Sequence, residues 1–178
     1  MKFYWQKEKV LKVAFNKSLD GIVRNRIPDT VDKETIITNK EGKLVTLWED
    51  KIQFPFKLDE DVICIVWTDK RKFSFKIRKN YVWNGADIPA VCEILVGSKQ
   101  ELQFLAPSMV HDFLLEYKTH IYKEVIKEEM TVAEYRRLTS LIFRQLLKNY
   151  NVRVTKTNVM AWAVDVFQMT VNRGQWKI

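Results

Sequence analysis

With 178 residues, 47% of them hydrophobic, the chain is long enough to fill one core without disulfide or metal staples. Its formal charge of +8 suits an acidic partner, nucleic acid included, but the Lys and Arg residues are interleaved with Asp and Glu; this excludes a basic tail and favours a solubilising surface. Cys64 and Cys92 have no CxxC and no ligand-spaced His around them, which argues against a zinc site; no run reaches the roughly 18 apolar residues of a membrane span, and residues 1–8 lack the apolar core of a signal peptide.

From residue 3 to about residue 82 the chain reads as short strands. Residues 10–15, 35–38, 43–48, 52–56, 62–68 and 72–78 are rich in β-branched and aromatic side chains and are separated by turn formers. Asn39-Lys40-Glu41-Gly42 and Thr68-Asp69-Lys70-Arg71 predict hairpin turns, the first with a glycine able to take positive φ. Cys64 sits in Val62-Ile63-Cys64-Ile65-Val66-Trp67, where a buried, reduced thiol acts as a small hydrophobe. In Lys72-Phe73-Ser74-Phe75-Lys76-Ile77-Arg78 strict alternation puts Phe73, Phe75 and Ile77 on one buried face. Pro28 and Pro55 belong at strand ends or edges, because proline cannot donate to a ladder.

After Pro89 the apolar period changes from two to about 3.6. Leu102, Leu105, Met109, Phe113 and Tyr117 form one helical stripe, and Tyr135, Leu138, Ile142 and Leu146 a second. Thr131 and Glu134 have capping-box spacing, which starts a helix at Val132 that ends near Asn149 or Tyr150. A last helix, 158–171, is apolar nearly all round and should be buried against the others or against a partner. Asp165 interrupts it and needs either the polar edge of that helix or an Arg of the preceding one. The six tryptophans are too dispersed for a stacking platform and read as core and interface residues.

Strands followed by helices give an α+β fold: one compact domain over 1–178, with an antiparallel β half of hairpins (1–83) and a three-helix half (84–178) packed on it.

The most informative segment joins the two halves. Asn84-Gly85-Ala86-Asp87-Ile88-Pro89 combines residues that tolerate left-handed backbone, bond their own amides or fix φ at a helix start, so a turn with a helix cap accounts for it. The functional alternative is that it aims Asn84 or Asp87 at His111. The pair His111-Asp112 lies in the next helix. An imidazole can move protons near neutrality or ligate a metal, and a carboxylate can orient it. Neighbours on a helix point about 100° apart, so His111 and Asp112 each need a partner from elsewhere. Glu116, one turn after Asp112, shares its face. The catalytic candidates are therefore His111, Asp112, Asn84 and Asp87, and the metal-ligand candidates His111, Asp112 and Glu116; the bland alternative is a satisfied polar network. His120 reads as surface.

These residues carry a family resemblance. The order of strand, Asn-Gly-Ala-Asp-Ile-Pro loop, helical Met109-Val110-His111-Asp112-Phe113-Leu114, capped helix and final helix resembles the small bacterial and bacteriophage proteins grouped as DUF1353, over about residues 72–171. The family pattern matches at Gly85, Ala86, Ile88, Pro89, His111, Asp112 and Leu114. It departs at Asn84, where the family has Asp, at Asp87 for Ser, at Leu115 for Tyr, and at Ser140, where a later helical Asp stands. If the family site uses several carboxylates, this chain lacks at least two of them, and Asn supplies no negative charge.

The resemblance implies a phage-encoded, non-enzymatic structural or interaction protein: a virion component of head, neck or tail, made in the host cytoplasm, docking to other virion proteins or to itself, and needing no cofactor. The alternative is a small His-Asp hydrolase, metal-assisted or not. A third reading is an intracellular phage factor that binds a host protein or a nucleotide.

Overall fold

A computed structural model describes residues 8–27, 34–85, 102–127, 129–170, 173–176 and 178. Eight short antiparallel strands precede the long helices: β1 (Val10–Phe15), β2 (Val23–Asn25), β3 (Ile36–Thr38), β4 (Leu44–Thr46), β5 (Phe56–Leu58), β6 (Val62–Thr68), β7 (Lys72–Ile77) and β8 (Val82–Trp83). They form three small sheets, ordered β1-β6-β7, β2-β5-β8 and β3-β4. Among the described residues there are five α-helices: α1 (Leu47–Gln53), α2 (Leu102–Glu116), α3 (Lys118–His120), α4 (Val132–Asn149) and α5 (Val154–Thr170). A π-helical turn, Ile121–Val125, follows α3. The fold is α+β, strands first and helices after, as the sequence pattern predicts, with five helices rather than three.

Both predicted hairpins form. Gly42 takes φ 78° and the Asn39 and Lys43 backbones pair at 2.9 Å, while the Thr68 amide donates to the Arg71 carbonyl at 2.8 Å. The alternation of β7 buries Phe73, Phe75 and Ile77, and its partner β6 turns Val62, Cys64, Val66 and Thr68 the same way. Cys64 is a fully buried free thiol, and burial pushes its pKa well above the ordinary range. Pro55 directly precedes β5, a strand end as expected. Pro28 and Cys92 lie outside the described residues.

The segment 43–56 corrects the sequence reading. Strand β4 stops at Thr46, and the residues expected to continue it and to open the next strand form α1 instead. The cause is local: Thr46 Oγ1 accepts the Glu49 amide at 3.2 Å, and Glu49 Oε2 accepts the Thr46 amide at 2.8 Å. That reciprocal capping box starts a helix despite the β-branched and aromatic content around it. The same device at Thr131 and Glu134 starts α4 where predicted. α4 ends on Asn151, at φ 58°; the amides of Asn151 and Val152 donate to the carbonyls of Lys148 and Leu147, each at 3.0 Å. This Schellman closure turns the chain at once into α5, which starts at Val154, four residues earlier than expected.

The main core lies where α2 and α4 cover the sheet: Val66, Phe75, Ile77, Trp83, Met109, Leu114, Tyr135, Ile142 and Leu146 are buried together. A second, smaller cluster of Phe104, Phe143, Leu147, Val152, Met160 and Ala163 joins α2, α4 and α5. Tyr135, Leu138, Ile142 and Leu146 face inward as their stripe predicts. α5 does not: it buries Met160 and Ala163 but leaves Trp162 65% exposed, with Phe167 and Met169 also open to solvent.

Candidate functional site

α2 presents two working faces because residues two apart on a helix point about 200° apart. Phe113 faces the aromatic side, against Phe75 and Tyr81. His111 faces α4, its ring centroid 5.2 Å from that of Phe143.

His111 is 7% exposed, and its Nε2 is buried with no hydrogen-bond partner among the described residues. Its Nδ1 lies 3.8 Å from Asp112 Oδ1, longer than a hydrogen bond and consistent with the divergence of helical neighbours. The imidazole thus meets an aromatic ring on one side and approaches one carboxylate on the other.

Glu116 works on the aromatic side. Its Oε2 accepts from the Tyr81 hydroxyl at 3.1 Å and from Lys40 Nζ at 3.1 Å. Lys40 also donates to the Val82 carbonyl at 3.1 Å, and its ammonium sits 4.3 Å from the centre of the Phe54 ring. The hairpin turn delivers this lysine: Asn39 is buried, and its Oδ1 accepts the amides of Glu41 and Lys43 at 3.0 and 2.9 Å, which fixes the turn carrying Lys40. Burial, then the negative charges of Asp112 and Glu116, push the Tyr81 phenol far above its ordinary range, so it remains a neutral donor.

Asn84 is exposed, next to Gly85, which is buried at φ 88°. Asp87, with Ala86, Ile88 and Pro89, lies outside the described residues. The structure therefore brings Glu116 to Tyr81, away from the face on which His111 packs, and leaves Asp112 between the two, 3.8 Å from the His111 imidazole and close enough for its charge to raise the Tyr81 phenol. Among the described residues no three His, Cys, Asp or Glu side chains gather to hold a metal ion.

Ser140, where the resemblance expects a carboxylate, is buried, and its Oγ donates to Asp165 Oδ1 at 3.4 Å. Arg136 Nη1 donates to the same oxygen at 3.2 Å. Asp165 thus takes the second option that the sequence left open, an Arg of the preceding helix, and it restores a carboxylate beside Ser140. Sequence reasoning missed Lys40 and Tyr81, whose contacts to Glu116 span 76 and 35 residues and leave no local signal.

The model of one protein family, described as protein of unknown function (DUF1353), matches residues 56–164. The match begins earlier and ends earlier than the motif resemblance and takes in β5 to β8 as well as α2 and α4. No curated protein and no solved structure matches the chain.

Proposed function

We propose that this chain, which belongs to the DUF1353 family, is a non-enzymatic interaction protein of a bacteriophage, incorporated in the virion at head, neck or tail and docked there to other virion proteins or to its own copies. The observation that carries this reading is how the polar groups are used. The Glu116 carboxylate is engaged by Tyr81 and Lys40, and the His111 ring lies against Phe143. These contacts tie α2 to the β half on one side and to α4 on the other. They are what a scaffold needs, whereas a catalyst needs its acid, base and substrate positions to converge. Apolar side chains meanwhile stand outward on α5, with Trp162 foremost; large exposed aromatics of this kind are typical interface anchors.

The test is the composition of purified particles. The proposal expects the protein at a fixed ratio to the major capsid protein; its presence in the infected-cell lysate and absence from particles would overturn it.

The hydrolase reading keeps one specific support: a buried Nε2 on His111 without a partner, on an imidazole whose other nitrogen approaches Asp112. It expects His111→Ala to abolish a measurable activity while the protein stays folded.

A further inference from the structure

The groove beside Glu116 has a character that the scaffold role does not use. It encloses about 620 Å³ between the turn after β7 and the aromatic face of α2, a size suited to one small ligand. Its floor is aromatic. Tyr81 and Phe113 meet edge to face with centroids 5.5 Å apart, and Phe113 lies 4.6 Å from Tyr117, which remains 42% exposed at the rim. Its wall is cationic, with Lys40, Lys76, Arg78 and Lys79 against the one carboxylate of Glu116.

Two of these cations are already balanced. Lys40 is bound to Glu116, and Lys76 Nζ lies 3.4 Å from Asp61. Arg78 and Lys79 have no carboxylate within direct ion-pair distance among the described residues, although the Arg78 charge helps to hold Asp61 ionised, and both are exposed. The backbone holds them in place. Asn80 takes φ 70° and its amide donates to the Leu58 carbonyl at 2.7 Å, while the Lys79 amide donates to Asp61 Oδ1 at 2.8 Å. Arg78 and Tyr117 both line the groove; burial and then Glu116 raise the Tyr117 phenol, and the Arg78 guanidinium opposes them.

We infer that this groove binds a nucleoside phosphate, free or as a unit of single-stranded nucleic acid, with the base stacked on Tyr117 and the phosphate held by Arg78 and Lys79. An exposed aromatic ring lining the same groove as exposed cations outside direct ion pairs is the pairing that recognises a base and its phosphate together. An acidic peptide would use the cations and leave the ring idle. The net charge of the chain alone would spread binding over the whole surface, and that difference is what the experiment reads.

Full-length protein is titrated into fluorescein-labelled oligothymidylate and, separately, into a labelled mononucleotide, with fluorescence anisotropy as the readout. Arg78→Ala/Lys79→Ala is expected to weaken oligonucleotide binding about tenfold or more and to reduce the slope of log affinity against log salt by about 1.4, near 0.7 for each lost phosphate contact. Arg137→Ala/Lys148→Ala removes equal charge from α4, outside the groove, and is expected to change affinity less than about twofold. Tyr117→Ala is expected to lose about tenfold, and Tyr117→Phe to restore the ring and the binding. Binding of the mononucleotide as well identifies a free nucleotide as sufficient, and binding of the oligonucleotide alone identifies the strand as the source. The inference is overturned if neither probe binds, if the two double variants lose affinity equally, or if Tyr117→Ala binds like the parent.

Discussion

Tyr81 donates its hydroxyl to Oε2 of Glu116 at 3.1 Å, across 35 residues, and so links the residue just before the last strand, β8, to the end of α2. The acceptor is a carboxylate that Lys40 also holds. Tyr81→Phe removes that donor with little change of shape. It should cost about 1 kcal/mol, the usual net worth of one such bond. Urea unfolding checks this; an unchanged midpoint would show that the link contributes nothing.

Two ion pairs that look alike on paper should behave differently. Arg26 Nη2 donates to Asp50 Oδ2 at 2.7 Å and Nη1 to the Phe54 carbonyl at 2.9 Å, with both side chains largely buried. Arg26→Met leaves the Asp50 carboxylate buried and unpaired, at a cost of about 3–5 kcal/mol. Asp165, partly exposed beside Arg136, gives a solvent-screened pair, and Asp165→Asn should stay within about 1 kcal/mol of the parent. Thermal melts of the two variants check the contrast.

The capping box of α4 predicts a pH dependence. Glu134 accepts the Thr131 backbone amide and hydroxyl, and these bonds hold its carboxyl below the ordinary Glu range. A carboxyl depressed in the folded state binds its proton more readily when unfolded. Its contribution is therefore complete above the ordinary Glu pKa and is lost as pH falls through the lower, folded value. Glu134→Gln should flatten that part of the acid limb, and Thr131→Ala should cost about 1 kcal/mol at neutral pH. Denaturation midpoints collected across the acid range check both.

His111 yields a prediction of the opposite sign. Its buried Nε2 has no partner among the described residues, so desolvating it costs free energy with no hydrogen bond in return. His111→Leu keeps the apolar contact with Phe143 and removes the unpaired atom. Stability should be unchanged or higher by about 1 kcal/mol. A loss beyond about 2 kcal/mol would mean that the imidazole makes a bond in solution.

What could be read from the sequence was whatever short-range pattern controls. The alternation of 72–78, the turn at Asn39-Gly42, the capping box at Thr131 and the inward stripe from Tyr135 to Leu146 each depend on neighbours within about one turn of chain, and each appears in the fold. The miss at 47–53 has the same root. Thr46 and Glu49 carry the same capping spacing as Thr131 and Glu134, but β-branched content outweighed it. The site was less legible. Composition marks His111, Asp112 and Glu116 as interesting, yet which of them meet is decided by Tyr81 and Lys40, brought in by the sheets. The outward apolar face of α5 could not be read either, since an all-round apolar helix looks the same whether this chain or another covers it.

The most direct test sets contact against chemistry in one complementation experiment. On the proposed phage reading, a phage deleted for this gene is supplied with the parent chain, with His111→Leu, or with Trp162→Glu, each confirmed to be folded, and the yield of infectious particles is counted. The account predicts a parental yield for His111→Leu and a severe loss for Trp162→Glu, with that protein left outside the particles. Loss of infectivity with His111→Leu and a parental yield with Trp162→Glu would contradict it.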